Sequence, residues 1–211
     1  MLGKSGALAL CISAVVMSGQ LGAQGIAPVQ AKLKDVYVTM LGSALPDIAR
    51  GEAMILDASG KKDQAAALRA SADKMTQGAA QDPSEDLFKA SVTSVSDGAT
   101  KSADTLNTKS GELSAEAKQQ FIDGLTKYVV GTVKLKSLKG DAESLSAMIG
   151  PATKGLSMMD AVRARGTISL AKTVATGVPD VTAKSISGLQ AIKAFAAARN
   201  IPIPANLLQG M

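Results

Sequence analysis

The chain has 211 residues, of which 46% are apolar and only 2% aromatic, and its formal charge is +5. It contains no histidine and one cysteine, which excludes imidazole general bases, Ser-His-Asp relays and imidazole-ligated metals. This length fits a single domain, and the small, aliphatic composition favours packed helices, because strands prefer β-branched and aromatic residues.

The first segment has the pattern of a secretory signal peptide. Lys4 supplies the positive start, residues 7–17 form an apolar run, and residues 18–23 are small and polar, as a cleavage region is. We expect cleavage after Ala23, with a second small-residue site after Ala31. A membrane anchor is the rival interpretation, although the second half of the segment is too polar for an ordinary span.

Residues 24–211 then form the mature domain, which we expect to be periplasmic or secreted. It retains no cysteine, because Cys11 leaves with the signal. Its charge is uneven, since most of the lysine excess lies in the carboxyl-terminal half. Such an imbalance can attract an anionic surface, although it is more often a solvated face.

Apolar residues that recur every three to four positions predict one helix after another in this domain. The predicted helices cover residues 29–48, 62–78, 83–107, 114–140, 141–149 and 156–177, with a last long helix after Pro179. Pro46 should break or kink the first of these. Residues 201–204 should be extended, because each proline there disfavours helix in the residue before it.

Capping residues mark two of the helix starts. Asp82 can cap, with Pro83 in the first helical position and Glu85 reaching back to the cap. Ser114, followed by Glu116, starts the next helix by the same logic. Glycine or proline should end three helices, at Gly140, at Gly150-Pro151 and at Gly177.

The helix that starts after Ser114 is apolar on two flanks, which predicts a central position with neighbours on more than one side. Residues 129–138 also alternate with period two, so a strand is the open alternative there, although we predict helix. The sequence therefore predicts one all-α domain, bundle-like and of about five to seven helices, that follows a signal peptide.

Catalytic patterns are weak throughout. Ser-x-x-Lys occurs three times, close to chance for a chain so rich in serine and lysine, and the carboxylates lie in no recognisable catalytic context. No phosphate loop or oxygen-ligand metal loop is complete. The scarcity of aromatic residues and the export signal disfavour nucleic-acid binding. We therefore predict no catalytic residues, no metal site and no cofactor, and the chain is more consistent with a binding protein than with an enzyme.

One candidate binding feature is a set of lysines interleaved with aliphatic residues. The four are Lys127, Lys134, Lys136 and Lys139. An amphipathic basic helix can lie on an anionic membrane. The alternative, which we favour, is a core helix whose lysine stems reach outward to solvent.

A second candidate feature is the pair Met158 and Met159 together with Phe195 and nearby small residues. Methionine suits adaptable apolar pockets, and helical domains can hold a lipid or another apolar ligand between helices. Ordinary packing explains the same residues.

These observations favour an exported, non-enzymatic helical protein that binds a partner protein or an apolar or anionic ligand, such as a lipid or a membrane surface, in the cell envelope. The alternative is a structural or assembly protein that acts through helix–helix contacts. A hydrolase that uses lysine or carboxylate groups is less favoured.

Overall fold

The computed structural model describes residues 13–108 and 112–209, and the side chains of these residues except 13–24, 101 and 103–108. The described chain is 87% helix and contains no strand, so the all-α prediction is confirmed. Its α-helices are α1 Ser13–Thr39, α2 Leu45–Ala58, α3 Lys62–Ala79, α4 Glu85–Thr108, α5 Ala115–Thr153 and α6 Met158–Ala198. Since α1 and α2 are joined without a loop, the described helices form five segments in a compact bundle. Residues 1–12 of the predicted signal peptide lie outside the described residues, and residues 13–23 are part of α1.

The junction between α1 and α2 is a π-helical turn, Met40–Ala44, placed just before Pro46. Proline has no amide hydrogen to donate to the carbonyl four residues earlier, and a π turn is a common local adjustment inside a helix. Met40, Leu41 and Ala44 are fully buried, so core packing holds the turn in place. Where the sequence predicted a break near Pro46, the helix therefore changes from α to π and back to α, and the chain stays helical throughout.

The backbones of α2 and α5 approach each other closely at glycines. A Cβ atom added to Gly51 would lie 2.6 Å from the carbonyl oxygen of Gly124, and one added to Gly131 would lie 2.6 Å from the carbonyl oxygen of Ala44. Real Cβ contacts essentially never fall below 3.0 Å. No other residue type fits at these points without moving a helix.

Helix α5 is the central element, and residues 129–138 lie within it, so helix rather than strand is correct for this segment. It packs against α1, α2 and α6. A four-residue connection, with Gly155 at a φ of +94°, turns the chain back into α6, so α5 and α6 run antiparallel. At 1.5 Å per residue the two helices are each about 60 Å long.

Three predicted helix ends are wrong. Helix α5 continues through Gly140 and includes Pro151 in its last turn, and α6 continues through Gly177 and Pro179 to Ala198. A glycine in a helix costs only about 1 kcal/mol, and buried residues on both sides of each predicted break offset that cost. Those residues are Leu138, Ala142, Leu145 and Ile149 in α5, and Val174, Val178 and Val181 in α6.

The cap of α4 also differs from the prediction. Ser84, not Asp82, precedes the first helical residue, and its hydroxyl accepts a hydrogen bond from the amide of Leu87 at 3.4 Å. The Tyr37 hydroxyl fixes this corner, because it accepts a hydrogen bond from the Ser84 amide at 3.1 Å. The predicted start at Ser114 is confirmed, since its hydroxyl accepts from the Ala117 amide at 3.2 Å. Residues 201–204 have no regular secondary structure, and Ile201 is buried against the core.

Candidate functional site

The four predicted lysines do not share one face of α5. Lys134 and Lys136 are two residues apart, which places them 200° apart around the helix. Lys134 forms an ion pair with Asp47 of α2 at 2.7 Å, and Lys139 lies 3.9 Å from Glu143. Lys127 and Lys136 are exposed. The buried face of the same stretch packs into the core through Tyr128 and its neighbours, which matches the interpretation of a core helix with outward lysines.

Met158 and Met159 lie far from Phe195. Both methionines are in the first turn of α6, whereas Phe195 is 37 residues further along the same helix, about 55 Å away along its axis. The Phe195 ring is buried and packs against Phe121 with ring centroids 5.5 Å apart, and the Arg199 guanidinium lies over it. The two methionines and Phe195 therefore cannot line one cavity together.

The first two turns of α6 instead expose a group of large apolar side chains. Met158 is 86% exposed, Met159 66% and Val162 71%. Met159 and Leu170 share one face of α6, since they are eleven residues apart, but only Leu170 is buried, because the described helices leave the first two turns of α6 uncovered. We call Met158, Met159 and Val162 the apolar tip.

Basic residues surround the apolar tip. Lys154, in the turn before α6, is exposed, and so are Arg163 and Arg165 in its second turn. Arg165 follows Met158 by seven residues, so the two lie on the same face two turns apart. The nearby acid, Asp160, accepts a hydrogen bond from the Ser157 hydroxyl at 2.6 Å, as part of the helix cap.

Helix α1 enters the bundle at this same end. A Cβ atom on Gly25 would lie 3.5 Å from the carbonyl oxygen of Ala152, which is in the last turn of α5. The segment before Gly25 is the predicted signal peptide. The apolar tip and the predicted start of the mature domain therefore lie at one end of the molecule.

A second unusual group is the carboxyl group of Glu52. This residue belongs to α2, and its side chain is completely buried. Neither of its carboxyl oxygens has a hydrogen-bond partner within the described part of the chain. Burial raises the pKa of Glu52 well above its usual value, because a charged carboxylate would lose its hydration there. Burying an unpaired polar group costs on the order of 1–3 kcal/mol, so its presence calls for an explanation.

Close packing surrounds this carboxyl group. Gly98 of α4 lies directly against Oε2, where any larger residue would collide with it. The Tyr128 hydroxyl of α5 donates a hydrogen bond to the Ser185 carbonyl at 2.8 Å. The pKa of Tyr128 is raised, first by burial and then by the neighbouring Glu52. The hydroxyl of Ser185 itself is buried without a partner among the described residues.

Sequence reasoning missed Glu52, although a signal was present. Glu52 is four residues after Ile48 and three before Ile55, so it lies within an apolar stripe of α2. A carboxylate at that position is predicted to be buried. The exposed tip gave no such signal, because methionine and valine fit a buried face equally well.

Residues 13–108 and 112–209 include no helix long and apolar enough to cross a membrane. The same residues hold no group of three or more acidic or cysteine side chains that could bind a metal ion. Comparisons of the chain with protein-family models, with curated proteins and with solved structures find no match.

Proposed function

We propose that this chain is exported to the cell envelope and binds an anionic membrane surface, without catalysis, through its apolar tip. The observation that carries the proposal is the joint exposure of Met158, Met159 and Val162 at the end of the bundle where the mature chain begins. Large apolar side chains grouped in this way are typical of membrane or protein contacts.

The charges near the tip favour a membrane over an apolar protein surface. Lys154, Arg163 and Arg165 are exposed and lie within a few residues of the apolar tip, a pattern typical of a helix that inserts apolar residues while its cations meet lipid headgroups. Each basic side chain near an anionic surface contributes about 1 kcal/mol. Burying an exposed methionine or valine contributes about 1.5–3 kcal/mol. Together these contributions are sufficient for reversible binding.

The packing of α1 supports the predicted cleavage after Ala23. Ile26 packs against the core and Val29 is only 1% exposed, so cleavage after Ala31 would remove two residues that stabilise the bundle. Intact mass spectrometry of the protein from fractionated cells tests this. We expect a chain that begins at Gln24 in the envelope fraction, and a chain that retains residues 1–23 in the cytosol would contradict export.

Vesicle flotation of the mature chain tests the membrane contact. We expect binding to vesicles that contain phosphatidylglycerol, and much weaker binding to vesicles of phosphatidylcholine alone. The double variant Met158→Ser and Met159→Ser should lose at least about tenfold in affinity, equivalent to about 1.4 kcal/mol.

The matched control changes two exposed apolar residues elsewhere. Val130 and Val133 of α5 are 43% and 37% exposed, and Val133 is about 30 Å along α5 from its last residue. Their replacement by serine should leave vesicle binding unchanged. Equal losses for both double variants, or no binding by the unaltered chain, would overturn the proposal. Recovery of a protein cross-linked to the tip in cells, without vesicle binding, would indicate a partner protein instead.

A further inference from the structure

A cleft of about 260 Å³ lies between α3 and α4, next to the buried carboxyl group of Glu52. Leu56 and Leu68 give it an apolar floor, and Gln64, Ser71 and Ser94 contribute polar side chains. Asp97 is at the surface of the cleft, where it is exposed. The lining contains no lysine or arginine among the described side chains, so Asp97 is its one charged group there.

Only a thin wall separates this cleft from Glu52. Gly98 and Leu68 both line the cleft, and a Cβ atom on Gly98 would lie 3.1 Å from Cδ2 of Leu68 while also colliding with Oε2 of Glu52. The carboxyl oxygen therefore lies behind the point where the Gly98 backbone meets the end of the Leu68 side chain. Contact between a ligand and the carboxyl group requires the Leu68 side chain to move aside, and leucine side chains move between staggered conformations.

The carboxyl group of Glu52 lacks a hydrogen-bond partner among the described residues, which indicates the kind of ligand that fits the cleft. Both oxygens are completely buried and accept no hydrogen bond from any described residue. A buried carboxylate is stable in its charged form only when a cation or several donors pair with it. The described side chains place no such cation beside Glu52.

We propose that this cleft binds a small organic ammonium ion with a short aliphatic body. The ammonium group donates hydrogen bonds to the Glu52 carboxylate, the hydrocarbon lies on Leu56 and Leu68, and Asp97 attracts the cation at the entrance. This site is separate from the apolar tip, and it stands whether or not the tip binds membranes.

Binding of this kind releases one proton. Burial favours the neutral carboxylic acid of Glu52 in the free protein by raising its pKa, and the ammonium ion pairs with the ionised form, so the carboxyl proton leaves to solvent as the ligand enters. The groups that face Glu52 from the other helices are Tyr128 of α5, whose hydroxyl donates to the Ser185 carbonyl, and the Gly98 backbone of α4, with Asp97 at the entrance. We therefore expect affinity to rise with pH by up to about tenfold per unit until Glu52 ionises in the free protein.

Isothermal titration calorimetry with alkylammonium chlorides from butyl to octyl tests the proposal. Alcohols and carboxylates of the same chain length serve as neutral and anionic probes. Titration in two buffers of different ionisation enthalpy measures the proton release. We expect only the ammonium series to bind, with about one proton released per bound ligand, the number that linkage requires.

Two variants connect the binding to the named residues. Glu52→Gln keeps the shape of the side chain and removes its charge, so binding should weaken at least about tenfold and proton release should vanish. Asp97→Asn, at the exposed entrance, should weaken binding a few-fold, in a salt-dependent manner. Glu143→Gln, at an exposed carboxylate of α5, is the control and should bind as the unaltered chain does.

Absence of ammonium binding to the unaltered chain would overturn the proposal. So would equal affinity for alcohols, or binding by Glu52→Gln with undiminished affinity. If Glu52→Gln does not fold, as judged by circular dichroism, the proton count of the unaltered chain and the Asp97→Asn titration decide the question. A tip variant that loses vesicle binding but still binds ammonium ions would show that the two sites are independent. Either proposal can then fail without the other.

Discussion

The crossing of α2 over α5 depends on glycine at position 51, and we expect Gly51→Ala to destabilise the protein strongly. The new methyl group would lie 2.6 Å from both the Gly124 carbonyl oxygen and the Tyr128 amide nitrogen, and 3.0 Å from the Tyr128 Cα. All three atoms belong to the backbone of α5, so no side-chain rotation can relieve the contact. The two helices must separate by several tenths of an ångström along a fully buried interface.

Overpacking of this kind costs about 1–3 kcal/mol and sometimes more. Alanine has a better helix propensity than glycine, and this difference offsets about 1 kcal/mol of the cost. Because the opposing atoms cannot yield, we expect a cost at the top of this range and a net loss of about 2 kcal/mol. In a domain of this size, that corresponds to a fall in Tm of about 4–8 °C.

The matched control is Gly140→Ala in α5. A Cβ atom there meets nothing within 4 Å, and the residue is exposed in mid-helix. This change should therefore stabilise the protein by about 0.5–1 kcal/mol, through helix propensity alone. Urea unfolding followed by helical circular dichroism measures both variants. A Gly51→Ala protein as stable as the unaltered chain would refute the close crossing of α2 and α5.

Three further predictions concern buried and paired polar groups. Burial raises the pKa of Glu52 above its usual 4.5, so the unfolding free energy should fall as pH rises above about 4.5, by up to about 1.4 kcal/mol per unit. Urea unfolding across this pH range should show that Glu52→Gln abolishes this slope and that Glu143→Gln retains it; the same slope in both would contradict the burial of Glu52. Hydrogen bonds from a lysine, a serine and a threonine lower the pKa of Glu85 to about 2, so Glu85→Gln should lower Tm at neutral pH and converge with the unaltered chain as pH falls from about 4.5 towards 2. A constant Tm difference across that range would refute this assignment. Tyr37→Phe removes the acceptor for the Ser84 amide, which should cost about 1–2 kcal/mol in urea unfolding, and an unchanged midpoint would show that the bond is not stabilising.

The helical class and most core positions of this fold were predictable from apolar spacing. Phe88, Val95, Phe121, Leu125 and Tyr128 all fall on predicted stripes and are all buried. The helix ends were less predictable, because glycine and proline affect the local backbone by only about 1–3 kcal/mol. Long-range packing of α5 against α1 and of α6 against α4 outweighs these local costs, and a single sequence does not reveal which helices meet.

The candidate site was only partly predictable. Met158 and Met159 were predicted as lining for an apolar pocket, but both are exposed, because the described helices leave the first two turns of α6 uncovered. Phe195 was grouped with the two methionines because the sequence does not show that all three belong to one continuous helix. That helix places Phe195 about 55 Å from the methionines. The burial of Glu52 depends on the approach of Gly98 from α4, a contact between residues 46 positions apart.

Site-specific labelling tests membrane contact by the apolar tip most directly. Residues 24–211 contain no cysteine, so Val162→Cys or Val133→Cys each provides one attachment point for an environment-sensitive fluorophore. With vesicles that contain phosphatidylglycerol, we expect a blue shift and increased emission from the label at position 162, and no change from the label at position 133. An unchanged signal at position 162, or equal changes at both positions, would contradict the proposed membrane contact.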